Sequence, residues 1–193
     1  GVLGDIIGPR KVLMRVVVWW SGFTALTGSA FNFSYLLIVR FLFGVGEAGA
    51  YPNSSIAIAR WFPAAELGRA QAAIWSAARI GGALTPLLVI PLVHSVGWRY
   101  AFVVLGGIGT VWAMAWYFWF RDEPAEKAGI TEEEITEIET TRKVTLSHRI
   151  DWKKVIVEPN ILYLMLMAHL FFYASYFFTN WSATYFQEGR GLS

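Results

Sequence analysis

The stretch Tyr35-Leu-Leu-Ile-Val-Arg40-Phe-Leu-Phe-Gly44-Val-Gly-Glu47-Ala-Gly-Ala-Tyr-Pro52-Asn53-Ser-Ser-Ile-Ala-Ile-Ala59 decides the fold. A bilayer-crossing helix takes roughly 20 mostly apolar residues, and this run exceeds that with only Arg40 and Glu47 charged. A charged side chain at mid-membrane costs about 2.5–3.5 kcal/mol on insertion scales. Both therefore belong against protein or in a watery cavity, not against lipid. They stand close to two helical turns apart and project from one face, roughly 10 Å from each other along the axis.

Working outward, four more stretches meet the same length, so the spans are expected at 12–30, 35–59, 70–93, 100–120 and 160–186. Short connections make the first four antiparallel neighbours. The fold class is an all-α polytopic membrane protein. Basic residues set its orientation. Arg10, Lys11, Arg15, Arg60, Arg69, Arg121, Lys127, Arg142, Lys143, Arg149, Lys153 and Lys154 fall on one side, against Arg99 and Arg190 on the other. Cationic loops stay in the cytoplasm, which puts the N-terminal end and the segment 121–158 there. That segment is rich in Glu, Lys and Arg and reads as a solvated linker. Thr131 followed by Glu134 has capping-box spacing and predicts a short surface helix.

Composition agrees. Of 193 residues, 55% are hydrophobic and only 16% charged, where a soluble chain carries about a quarter charged. A net charge of +2 without a basic stripe excludes nucleic acid as a partner. Zero cysteines exclude a disulfide framework and a thiolate metal site. Nothing calls for a metal or a cofactor. The opening on Gly1 and the close on Ser193 read as a piece of a longer protein whose other helices are partners of these.

The in-membrane charges carry the chemistry. Arg stays protonated and forks onto a carboxylate, and a carboxylic acid such as Glu47 can take up and release a proton. One fixed cation and one titratable acid are the minimum kit for binding an anion together with a proton. Gly44, Gly46, Gly49 and Pro52 predict tight packing and a kink around Glu47. Arg79, in the third span, either adds a second anion contact or neutralises Glu47. Tyr173, Tyr176 and Asn180 form a polar stripe on the last span, serving either packing or ligand contact. His169 reads as a structural residue. Hydrolysis inside a membrane needs a base beside a nucleophile, an acid pair or a metal. One acid and one His within the spans do not supply that, so an enzyme is not expected.

Several motifs resemble the major facilitator superfamily. Gly1-x-Leu3-Gly4-Asp5-x-x-Gly8-x-Arg10-Lys11 is similar to its signature after the second helix, with Ile6 where a basic residue is usual. Arg40 to Asn53, then Trp61-Phe62-Pro63 with Glu66, Gly68, Arg69 and Ala70, then Gly97-Trp98-Arg99 and Gln187 to Ser193, resemble its anion:cation symporter family. The resemblance implies a partial helical bundle. Residues 1–120 would hold the end of the helix-2 motif and helices three to six, 121–158 the linker, and 159–193 helix seven. It implies transport of small organic anions such as sugar acids with protons, in a bacterial inner membrane. Arg40 would position the substrate carboxylate, with Arg79, Asn53, Tyr173, Tyr176 and Asn180 as further substrate contacts. Glu47 would couple the proton, and Asp5 and Arg10 would belong to a cytoplasmic gate. Sugar-acid carriers commonly have Gln where this chain has Ala78 and Arg79. Sodium coupling, anion exchange and a non-transporting sensor on the same scaffold stay open.

Overall fold

The computed structural model describes residues 2–141 and 157–191. Two compact units divide the chain, Gly1–Val144 and Thr145–Ser193.

In the first unit, helix α1 (Val2–Ile7) is separated from α2 (Pro9–Thr27) by Gly8 at φ 86°. That conformation suits glycine, and Pro9 at the first helical position starts α2 without needing a backbone donor. Asn32 caps α3 (Phe33–Glu47) by accepting the Tyr35 N–H at 2.7 Å. At Ala48 and Gly49, which keep helical φ/ψ, the ladder tightens into a turn with the Gly49 N–H donating to the Gly46 carbonyl at 3.4 Å, and the α-helix resumes as α4 (Ala50–Trp61). The irregularity expected around Glu47 thus takes the form of a tightened turn immediately after it.

Helix α5 (Leu67–Trp119) is 53 residues long, about 80 Å at 1.5 Å per residue and far more than the ~30 Å hydrocarbon core. Gly97, at φ 79° and ψ 157°, breaks it into two limbs. The end of α4 meets both outer ends of α5. A short loop joins it to Leu67, and the Trp61 indole N–H donates to the Arg121 carbonyl at 2.9 Å. The limbs 67–96 and 98–119 are therefore an out-and-back pair, matching the two spans expected there.

Helix α2 lies at the centre of the unit. Its buried Val12, Leu13 and Val17 and the small Ser21 pack inward. The second limb of α5 runs antiparallel to it, with Gly28 beside Arg99, Ala25 beside Gly106, Ser21 beside Gly109 and Arg10 beside Tyr117. A Cβ on Gly106 would lie 2.9 Å from the Ala25 Cβ and 2.6 Å from the Ser21 carbonyl oxygen. Close backbone approach through small residues supplies van der Waals contact where no hydrophobic drive exists between helices.

After α5 comes a 3₁₀ turn (Pro124–Glu126) and then α6 (Glu132–Thr141). The expected capping box is present. Glu134 N–H donates to Thr131 Oγ1 at 3.3 Å, and Thr131 N–H donates to Glu134 Oε2 at 3.2 Å. Arg142, Lys143, Arg149, Lys153 and Lys154, five of the basic residues expected on the cytoplasmic side, lie outside the described residues.

The second unit holds α7 (Pro159–Thr184) and a π-helical turn (Tyr185–Gly189). Its Leu, Phe and Tyr side chains are exposed along the helix, as suits a surface meant for lipid or for other helices. Among the described residues, Phe33–Trp61, Leu67–Trp119 and Pro159–Ser182 are long and apolar enough to cross a membrane. Helix α2 carries Arg10, Lys11 and Arg15 in its first two turns.

Candidate functional site

Glu47 is the last residue of α3, just before the turn at Ala48 and Gly49. Its side chain lines a cleft of about 220 Å³ together with Trp20, Ala50, Tyr51, Ser54 and Ile74. Tyr51, one turn on, stacks on Trp75 of α5 with ring centroids 4.9 Å apart and planes 11° apart. Ser55 Oγ lies 3.5 Å from Gln71 Oε1. These two pairs define an antiparallel register between α4 and the first limb of α5. Carried one turn further, the same register would bring Glu47 of α3 level with Arg79. The two do not form an ion pair. Among the described residues the ion pairs are Arg60–Glu123 at 3.3 Å and Arg69–Glu66 at 3.5 Å.

Arg40, two turns before Glu47 on α3, is exposed. Its guanidinium carbon sits 5.5 Å from the Phe43 ring centroid and 5.8 Å from that of Phe102. It does not line the Glu47 cleft, and no ion pair holds it among the described residues. Arg79 is likewise exposed.

Asn53 is placed differently. It is 2% exposed, donates from Nδ2 to the Gly49 carbonyl at 2.5 Å, and packs against Gly4 of α1. Its Oδ1 has no partner among the described residues. Asn53 therefore ties α1 to α4 and does not face the cleft of Glu47.

Of the two expected gate residues, Asp5 is exposed and Arg10 is engaged within the unit. Arg10 Nε–H donates to the Tyr117 carbonyl at 2.7 Å, its guanidinium lies 4.4 Å from the Tyr117 ring centroid, and its backbone N–H donates to Asp122 Oδ1 at 2.8 Å. In the second unit Tyr173, Tyr176 and His169 are exposed, and Asn180 donates from Nδ2 to the Tyr176 carbonyl at 2.9 Å.

A second, larger cleft of about 830 Å³ is almost wholly apolar, lined among others by Val17, Trp20, Ile58, Trp112, Trp116 and Phe120. Trp116 and Phe120 stack at 4.1 Å, and Lys127 Nζ lies 3.6 Å from the Trp119 ring centroid.

Two participants escaped sequence reasoning. Trp19 of α2 donates its indole N–H to the Leu42 carbonyl of α3 at 2.8 Å, and Asp122 receives Arg10. The only sequence signal for Trp19 was its membership of a Trp pair one span before the charged helix. Asp122 sits in the Arg121-Asp122-Glu123-Pro124 run, where charge and Pro suggest only a loop.

Residues 1–193 match the family model of the Major Facilitator Superfamily. Among similar proteins, one described as a probable sulfoacetate transporter from Cupriavidus necator is 41% identical over 72% of this chain and 32% of its own length. The hexuronate transporter of Bacillus subtilis is 29% identical over 100% of this chain and 44% of its own length. The sodium-dependent phosphate transport protein 1 of Arabidopsis thaliana chloroplasts is 30% identical over 97% of this chain and 37% of its own length. The chain thus spans less than half the length of each of these relatives. With its match to that family model and its apolar membrane-length helices, the chain is a multi-pass membrane protein that belongs to the Major Facilitator Superfamily.

Proposed function

We propose that the full-length protein is a secondary transporter that carries small organic anions, sugar acids or related carboxylates, together with protons by alternating access. The observation that carries this reading is the α3 helix itself. It bears a cation and an acid on one stretch of membrane helix, neither held in an ion pair among the described residues, and the acid opens on a cleft beside a tightened turn. Arg40 would bind the substrate carboxylate, Glu47 would carry the proton, and Arg79 would add positive charge at the level of Glu47. Tyr173, Tyr176 and Asn180 would complete the substrate contacts from the C-terminal bundle. The relatives, which include proteins described as sulfoacetate, hexuronate and galactarate/D-glucarate transporters, support the anion class.

In this reading residues 1–120 belong to the N-terminal bundle, 121–158 form a cytoplasmic linker, and 159–193 begin the C-terminal bundle, in a bacterial inner membrane. Asp5 would latch the two bundles, and Arg10 would hold the turn that presents it. With the cavity open outward, Glu47 is protonated and the anion docks on Arg40. The bundles rock, and release inside follows deprotonation.

The test is uptake of labelled organic acids into proteoliposomes holding the full-length protein, with a pH gradient, a sodium gradient or neither. Accumulation driven by the pH gradient, lost in Glu47→Gln while substrate exchange persists, is the expected result. Accumulation that follows sodium alone, or a Glu47→Gln variant that accumulates like wild type, would reject the proton-coupling role.

A further inference from the structure

Glu47 lies between Gly46 and Gly49, and α2 presses on both glycines. The Trp19 ring lies so close to Gly46 that an added Cβ would overlap its Cδ1 and stand 2.8 Å from Nε1. Val16, one turn earlier on α2, would meet a Cβ on Gly49 at 3.0 Å. The same Trp19 donates its indole N–H to the Leu42 carbonyl at 2.8 Å, in the last turns of α3. Its ring is itself held by Phe23, with centroids 5.0 Å apart. The neighbouring Trp20 lines the Glu47 cleft.

We infer that Trp19 is a positioning residue for Glu47, fixing the rotation of the last turn of α3 and so the direction in which the carboxyl group points. The physical need is plain. At Ala48 and Gly49 the α-helical ladder gives way to a turn, the Gly49 N–H donating to the Gly46 carbonyl at 3.4 Å while both residues keep helical φ/ψ. An i→i+3 bond of this kind has poorer geometry than the regular ladder and holds the azimuth of the Glu47 turn less firmly. A hydrogen bond from a neighbouring helix to the Leu42 carbonyl, with an aromatic plane against Gly46, supplies the missing restraint. Glycine at 46 is required because any side chain would occupy the place of the indole. Among the described residues, the one other titratable group lining the Glu47 cleft is Tyr51 on α4; of the cations on the helices packed nearby, Arg15 precedes Val16 on α2 and Arg79 lies on the first limb of α5.

This inference rests on the coupling role proposed for Glu47, and the experiment separates the two. In the full-length protein, Trp19→Phe keeps an aromatic ring and removes the N–H donor, and Gly46→Ala pushes on the same ring from the other side. The readout is the ratio of pH-gradient-driven accumulation to counterflow exchange in proteoliposomes, with thermal unfolding followed in parallel. The expected result is a ratio lowered roughly fivefold in Trp19→Phe, equivalent to about 1 kcal/mol for one hydrogen bond, with exchange retained. Gly46→Ala lowers the ratio in the same direction. A purely structural Trp19 would lower accumulation and exchange together, and that outcome, or an unchanged ratio in Trp19→Phe, overturns the inference. If Glu47→Gln itself keeps full accumulation, the coupling role fails. If Glu47→Gln loses accumulation and Trp19→Phe does not, only the positioning role fails.

Discussion

Asp122 accepts the backbone N–H of Arg10 at 2.8 Å across 112 residues of sequence, while the Arg10 side chain donates to the Tyr117 carbonyl at 2.7 Å. Asp122, just past the end of α5, caps α2, and Arg10 of α2 caps α5. The carboxylate serves the N-terminus of α2, where backbone donors lack partners, and the guanidinium serves the C-terminus of α5, where carbonyls do. The crossing holds α2 and the second limb of α5 together at one end, and it keeps Gly8 in its turn, since a Cβ there would strike the Asp122 carboxylate.

Asp122→Ala should therefore destabilise the bundle by about 1 kcal/mol, the usual loss for a removed N-cap acceptor. Thermal unfolding of the purified full-length protein measures it. Asp122→Asn, which keeps an acceptor, should lose less. Equal melting temperatures for wild type and Asp122→Ala would show that the α2 terminus draws nothing from this carboxylate.

Gly106→Val tests the other end of the same helix pair. The added Cβ would lie 2.9 Å from Ala25 Cβ and 2.6 Å from the Ser21 carbonyl oxygen, and both partners are too short to turn aside. Overpacking of this kind costs about 1–3 kcal/mol. Gly107→Val, where nothing lies within 4 Å of the added Cβ, should cost clearly less in the same denaturation assay. Comparable losses at both positions would count against the close approach.

How far the sequence carried is explained by which interactions leave a local trace. Membrane spans do, because lipid demands a long apolar run whatever the rest of the chain does. Hence the runs at 35–59, 70–93, 100–120 and 160–186 fall on helices long and apolar enough to cross a membrane, whereas 12–30 falls on α2, which is not among them; the glycines before Pro52 coincide with the turn at Ala48 and Gly49. The capping box at Thr131 and Glu134 was legible for the same reason, being closed within one turn. Contacts across the fold leave no such trace. Asn53 follows Tyr51 and Pro52 in the span that carries Glu47, where a ligand contact is expected, yet Gly4 of α1 covers it. Trp19 looked like any membrane tryptophan until α3 was beside it. Arg10 looked like a free gate residue, and its partners Tyr117 and Asp122 were a hundred residues away.

Arg40 should resist its nearest chemical substitute. Lysine keeps the positive charge but loses the planar fork that meets a carboxylate with two bonds. If Arg40 binds the substrate anion, Arg40→Lys should raise the half-saturating substrate concentration by roughly tenfold, the equivalent of about 1.4 kcal/mol, and Arg40→Ala should raise it further. Concentration series of labelled substrate uptake measure both. Wild-type half-saturation in Arg40→Ala would remove Arg40 from the substrate site.

The register between α4 and the first limb of α5 gives a prediction that needs no transport assay. Ser55 meets Gln71 and Tyr51 stacks on Trp75, so each turn forward on one helix is a turn backward on the other, and the same register carried one turn into α3 would bring Glu47 level with Arg79. Residues 1–193 contain no cysteine, so introduced pairs report on these positions once any cysteine elsewhere in the full-length protein is replaced. Ser55→Cys with Gln71→Cys should be joined by a short bifunctional thiol reagent in native membranes, and so should Glu47→Cys with Arg79→Cys. Ser55→Cys with Arg79→Cys should not, because two helical turns, about 11 Å of rise, separate those levels. Cross-linking is read as a shift in mobility after cleavage of the chain between the two sites. If the 55/71 pair links and the 47/79 pair does not, the turn at Ala48 and Gly49 swings α3 away from α5. The positive charge of Arg79 would then be lost to Glu47, leaving Arg40 to hold the anion alone.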